Sequence, residues 1–501
     1  MFGRNSFAKL KHRKRQTSKG KNGTKLIKSC FCYYSSCILI FPCPAQGRVN
    51  SMLKLAELLS LAGLKLFFLN TNRIQERLTH FADVEARFAK YPGFRFITIP
   101  DCLPEDYRQK HNKLEVIKSL EVKSKPILKR LLIETRPPVN FIIGDGILGS
   151  PLDAAFELGI PNFRFRTIST CSFWSYFCIP DVIEACELPI KGVFVEIEVE
   201  EDMDRLITKV PGMEKFLRCR DLPSCCRVSD TTDPYLLMMV NEATQSPRAQ
   251  ALILNTFEDP EAPILSQIRN HRPKTYTIGL LHELLKTKHR SIKTQESSYQ
   301  SSNSLCEVDR SCITWLDTQP SQSVLYISFG SITVMTREQL MEFWHGIVNS
   351  KKRFLWVIRP DSVTNKDGDV EKIPEELQDG PKEREYIVKW APHEEVLAHE
   401  AVGGFLKHNG WNSTLESIVA GVPMICWPYF ADQQVNSRYV SEVWKLGLDM
   451  KDVCEREFVR STARMAELAR KSVSEGGSSS CNLNRLIEDI RLMSSRQAHD
   501  N

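Results

Sequence analysis

The stretch most able to do chemistry runs from Trp390 to Gln433. It opens Trp390-Ala391-Pro-His393, passes through His408-Asn-Gly-Trp411-Asn412-Ser413 and Glu416, and closes on Asp432-Gln433. The middle block joins an apolar strand pattern to a helix pattern. Free backbone N–H groups at such a helix start, with the Asn412 amide and the Ser413 hydroxyl as further donors, form a seat for a diphosphate. His408 beside it can donate to a phosphate oxygen, and Gly410 lets the backbone come close. Trp390 offers a flat face to a base, while Asp432 and Gln433 can accept from and donate to sugar hydroxyls. Taken singly, these residues have plainer uses: Asp432 as a helix N-cap, Trp390 in a core, His408 as a satisfied buried histidine. Their joint spacing within 44 residues favours the shared site.

The elements that must position these groups alternate along the chain, which is the pattern of parallel sheets wrapped by helices. Ile38–Phe41 reads as a buried strand, Pro42–Gly47 as a turn, and Met52, Leu55, Ala56 and Leu59 as one face of a helix. Leu64–Leu69, Phe94–Ile99, Phe141–Ile143 and Asn162–Phe165 continue the strands. Residues 271–305 lose periodicity and read as an interdomain linker. Alternation then restarts with Ser323–Phe329, helix Arg337–Val348 and strand Phe354–Ile358, and runs on through helix Gln434–Trp444. The expected organisation is a leader over 1–36, one domain over 37–270, a second over 306–481, and a C-terminal helix and tail over 482–501. That last helix is expected to pack back on the body, on the side of the first domain.

Composition sets outer bounds. The 501 residues exceed one ordinary core and call for two domains. The formal charge of +6 is concentrated in residues 1–28, which hold ten Lys or Arg and no acid. The remainder carries 57 basic against 61 acidic side chains, which gives no reason to expect a nucleic-acid partner. The leader admits a nuclear address at Lys11–Arg15, an organelle transit segment, or an extension without a role, and the last is favoured. The uncharged run 29–47 is short for a membrane span and is broken by Pro42 and Pro44. Sixteen scattered cysteines without metal spacing suit a reduced, cytosolic compartment. Asp367-Gly-Asp369 could be read as a metal–nucleotide motif, but its polar surroundings favour a solvated loop.

Trp390 to Gln433 resembles the signature box of plant family-one UDP-glycosyltransferases, and the resemblance extends from about Ile38 to Arg491. It implies an α/β chain of GT-B fold, two Rossmann-like domains facing a central cleft, the first binding the acceptor and the second the UDP-sugar donor, and metal-free transfer with inversion at the anomeric carbon. It implies UDP-glucose as donor and a small-molecule acceptor, with no bound cofactor, in a monomer. Carried over by position, Trp390 would stack on uracil, the Ala391 backbone would pair with its edge, and Glu416 would hold the ribose. His408, Asn412 and Ser413 would bind the diphosphate, with Ser331 nearby; Trp411, Asp432 and Gln433 would face the hexose. A box ending in Gln433 suggests glucose. Finer similarities, in Pro44-Ala-Gln-Gly47, Pro92–Phe96 and Cys171–Trp174, are to iridoid glucosyltransferases.

The same resemblance exposes departures. Family members place a histidine base after the Gln-Gly of the first loop, oriented by an aspartate. Asp145 is in place, but the base position holds Arg48, which cannot accept a proton at neutral pH. Arg48 and Asp145 are expected to form an ion pair. His393 stands where Gln is usual, Leu280 where Pro is common, and 453–458 looks shortened. The expectation is an active or formerly active glucosyltransferase; the rival is a UDP-sugar-binding protein without turnover.

Overall fold

The computed structural model describes residues 36–102, 113–190, 203–291, 304–365, 370–377, 383–450 and 458–500. The Asp367–Asp369 motif and nearly all of the shortened 453–458 segment lie outside the described residues, as do the leader and parts of the variable loops 101–113 and 178–205.

The first half is a seven-stranded, wholly parallel sheet. Its strands are β1 (Cys37–Phe41), β2 (Lys65–Thr71), β3 (Phe94–Ile99), β4 (Phe141–Asp145), β5 (Asn162–Arg166), β6 (Ala251–Leu254) and β7 (Thr275–Thr277). They lie in the order β3-β2-β1-β4-β5-β6-β7. Every residue of β1 and β4 is buried, as expected for strands covered by helices on both faces.

The second half has six parallel strands and a small two-stranded appendage. These are β8 (Val324–Ser328), β9 (Met335–Thr336), β10 (Arg353–Val357), β11 (Val363–Thr364), β12 (Glu385–Val388), β13 (Val402–Lys407), β14 (Met424–Cys426) and β15 (Gly447–Asp449). The main sheet runs β12-β10-β8-β13-β14-β15, with β9 paired to β11 apart from it. Counted from its own first strand, this is the order 3-2-1-4-5-6 that the first half also shows. Both are Rossmann-like sheets, and in each the order reverses beside the first strand, where such sheets receive ligands.

Two departures from the sequence reading concern the joints. The stretch read as a linker contains β7 and the helix Leu281–Ser291, which packs on the first-half helix Gln46–Leu61. Its strand is only three residues long, and its helix is short and strongly charged, so the stretch gave little periodic signal. The C-terminal helix is longer than expected, Ser478–Asp500, and returns to β7. There Asn482 donates to Thr277 at 2.8 Å, Lys274 pairs with Asp489 at 3.2 Å, and the Tyr276 hydroxyl donates to Asp489. The helix expected over 434–444 is α-helical only to Arg438 and then widens into a π turn over Tyr439–Val443. None of the described helices is long and apolar enough to cross a membrane.

Apolar packing is continuous from the first sheet into Trp411, Leu415 and Val435 of the second half. Two further clusters line the faces of the second sheet.

Candidate active site

At the first switch point, β1 leads by a short turn into the helix Gln46–Leu61, whose first turn carries Arg48, and β4 ends on Asp145. Arg48 Nη1 donates to Asp145 Oδ1 at 2.6 Å, the expected ion pair. Asp145 is fully buried and also accepts from the backbone N–H of Ile147 on Oδ1 and of Cys43 on Oδ2, each at 3.1 Å. Burial alone would lower the Arg48 pKa, but the Asp145 carboxylate, with Cys43 and Asp432 behind it, holds it above its ordinary value. Arg48 therefore stays a cation.

At the second switch point, β8 leads into Phe329-Gly330-Ser331 and β13 into His408. Gly330 sits at φ +73°, and a Cβ there would stand 2.4 Å from the His408 ring; one at Gly410 would stand 2.6 Å away. Both positions must lack a side chain for the imidazole to fit. Burial, with Lys407 nearby, pushes His408 down to about 3, so the ring is neutral. Its Nδ1 is buried and has no hydrogen-bond partner among the described residues. Arg359 braces the Ser331 loop by donating to the carbonyls of Gly330 and Thr333.

Asn412 and Ser413 open the helix Trp411–Ala420 as expected, but their donors are engaged within the chain. The Asn412 amide donates to the Gly47 carbonyl at 2.7 Å, and the Ser413 hydroxyl to the Gly410 carbonyl at 2.9 Å. The start of the first-half helix Gln46–Leu61 thus already meets the group expected to hold a diphosphate. Trp411 departs further from its expected place before a hexose. Its indole N–H donates to the Asn255 carbonyl at 2.6 Å and its ring packs on Trp444. It fills the joint between the halves because a large aromatic at a helix start is driven into the nearest core.

Trp390 is 7% exposed, with Ala391 buried beside it. His393 opens the helix His393–Leu397 and bridges Tyr326 (3.0 Å) and Ser328 (3.2 Å), two side chains on the same face of β8. Burial pushes it down to about 4. Glu416 lies on the inner face of the Trp411–Ala420 helix; burial and the nearby Glu394 carboxylate push it up to about 7, against Lys54, Lys407 and Lys286. Asp432 precedes the helix Gln433–Arg438, and burial raises its pKa too. It does not cap that helix with its side chain; it accepts from Asn436 at 3.0 Å. Gln433 accepts from the N–H groups of Tyr429 and Phe430 at 2.9 Å, which fixes the loop above it.

The sequence model of the family described as UDP-glucoronosyl and UDP-glucosyl transferase matches residues 303–462, which contain every second-half site residue. The chain is 52% identical to a 7-deoxyloganetic acid glucosyltransferase of Catharanthus roseus, over 91% of this chain and 97% of that one. It belongs to the plant family-one UDP-glycosyltransferases. Another member, the myricetin 3-O-rhamnoside 1,2-glucosyltransferase of Crocosmia x crocosmiiflora, is 44% identical over 91% of this chain and 96% of its own. Among solved structures, Os79 of O. sativa in complex with UDP superposes with a TM-score of 0.73 at 25% identity, covering 90% of this chain and all of that one. Medicago truncatula UGT71G1 complexed with UDP-glucose gives 0.69 at 26% identity, over 92% and 99%. The twin-sheet architecture is the GT-B fold.

Within that family frame, three positioning residues escaped the sequence reading. Asn436 accepts from Ser169 (2.6 Å) and Ser172 (3.0 Å) of the first half while holding Asp432. Asn255 donates to Asn412 at 3.2 Å, and Arg359 braces the Ser331 loop. Only Asn436 carried a signal, four residues after Asp432 on one helix face.

Proposed function

We propose that the chain transfers glucose from UDP-glucose to a small plant secondary metabolite of iridoid or terpenoid type. Family membership supports a UDP-sugar donor, and the activities of the two relatives support glucose and a small acceptor. The observation that carries the donor assignment is the second switch point. There a neutral imidazole with an unpartnered buried nitrogen lies beside the Ser331 loop and the start of the Trp411–Ala420 helix. In this reading Trp390 and Ala391 take the uracil, Glu416 the ribose, and His408, Asn412, Ser413 and Ser331 the diphosphate. Asp432 and Gln433 take the hexose, and His393 acts from behind Trp390. The protein works as a cytosolic monomer without metal or cofactor.

Transfer forms a bond between the acceptor oxygen and the anomeric carbon as the bond from that carbon to UDP breaks. The leaving UDP takes the electron pair, and the configuration inverts. A hydroxyl acceptor must also lose its proton, and Arg48 has no lone pair to take it. Asp145, with both oxygens engaged, is poorly placed to substitute. A carboxylate acceptor arrives ionised at neutral pH, needs no base, and can be held by a guanidinium. Arg48 therefore favours glucose esters over glucosides.

The test is a product screen with UDP-glucose and matched hydroxyl and carboxyl acceptors, using the parent and Arg48→His. The variant should make glucosides about 10²–10⁴ faster, the usual span of a general base, with little change for carboxylates. A parent that makes glucosides as fast as the variant would overturn the role of Arg48. The second reading, motivated by the same arginine, is a UDP-sugar-binding protein without turnover; calorimetric UDP binding with no product from any acceptor would favour it.

A further inference from the structure

Glu394 lies one residue beyond His393 and four beyond Trp390, on the second half. Two lysines of the first half reach it. Lys54, from the helix Gln46–Leu61, places Nζ 2.6 Å from Oε1; Lys286, from the helix Leu281–Ser291, places Nζ 3.2 Å from Oε2. The Lys54 side chain is only 9% exposed. It also lines a small polar cavity between the halves, shared with Ser51, Asn255, His282, Asn412 and Glu416. The acceptor-side helix therefore touches the donor-side residues at two places: Lys54 at Glu394, and the Gly47 and Ser51 region at Asn412.

We infer that Lys54, with Lys286, is a positioning residue that draws the donor half onto the acceptor half through Glu394, and so sets the affinity for UDP-glucose. The inference rests on the donor site proposed above. A buried lysine is costly unless paired, and an apolar side chain would join two halves at lower cost. What the ion pair provides is reversibility. When the cleft opens, both partners regain water, so the Coulomb attraction and the desolvation cost are nearly balanced and closure stays within reach of ligand binding. The two lysines also offset part of the repulsion that Glu394 exerts on Glu416.

The experiment compares the parent with Lys54→Met, Glu394→Gln, Lys54→Arg and the reversed pair Lys54→Glu with Glu394→Lys. Calorimetric UDP affinity, KM for UDP-glucose, kcat and thermal unfolding are read for each. The two neutralising variants should weaken UDP and raise KM by roughly 5- to 150-fold, the span of ordinary site-to-site coupling, with kcat little changed. Lys54→Arg should stay near the parent, and the reversed pair should recover most of the loss. Folded variants in which UDP affinity is unmoved, or a reversed pair no better than the single changes, would overturn the inference. His408→Ala separates the two levels. If it weakens UDP while the lysine variants do not, only the Lys54 role fails; if no variant affects UDP, the donor site itself is wrong.

Discussion

The two switch points share one topology and hold opposite electrostatics. In the first half, β1 and β4 deliver Arg48 and Asp145, which close on each other at 2.6 Å and leave the carboxylate fully engaged. In the second, β8 and β13 deliver Gly330 and His408, and the imidazole is held by close packing of two glycines with one nitrogen unpartnered. The Asp145 carboxylate in the first crevice holds the Arg48 pKa above its ordinary value. Burial beside cations keeps the second group neutral and able to donate. The lesson is that the sheet order decides where chemistry can occur, while one residue beside the strand end decides which chemistry.

Arg48→His would place a proton acceptor in the first crevice, and carries the largest expected effect, the roughly 10²–10⁴ gain in glucoside formation. Breaking the pair from its other side is the next test. Asp145→Asn strands a largely buried guanidinium and should cost about 3 kcal/mol of stability, the lower end for a broken buried pair, read as a fall in the urea midpoint. An unchanged midpoint would mean that the pair is not held in solution.

In the second crevice, His408→Ala should weaken UDP by about 1.5–3 kcal/mol, the range for a hydrogen bond to a charged group, and leave uridine nearly unaffected. Equal losses for both ligands would remove the phosphate role. The smallest effect concerns His393. Its folded pKa of about 4 lies below the unfolded value of 6.5, so on acidification the unfolded chain takes up the proton first and stability falls. Between pH 6.5 and 5.5 this group should remove about 1 kcal/mol. His393→Gln should flatten the pH dependence of the urea midpoint by that amount, and an unchanged slope would show that the ring is not buried neutral.

Most strand positions were legible because a buried parallel strand leaves a short apolar run, and β1, β4, β8 and β13 each carry one. His408 and Asp145 could be located for the same reason, as polar residues at the ends of such runs. Strand β7 and its following helix were hidden, since three residues of Thr-Tyr-Thr and a Lys-rich amphipathic turn look like linker.

The sequence alone determined the alternation of elements, the strand-end address of the polar groups and the presence of a guanidinium, Arg48, just after the first strand. These depend on neighbours within a few residues, which periodicity records. Tertiary structure alone decided that the Asn412 amide meets the Gly47 carbonyl, that Trp411 fills the joint with Asn255, and that Lys54 reaches Glu394. Their partners lie 365, 156 and 340 residues apart along the chain. No local pattern encodes such pairs, because they form only where the two sheets meet and their facing side chains lose water together.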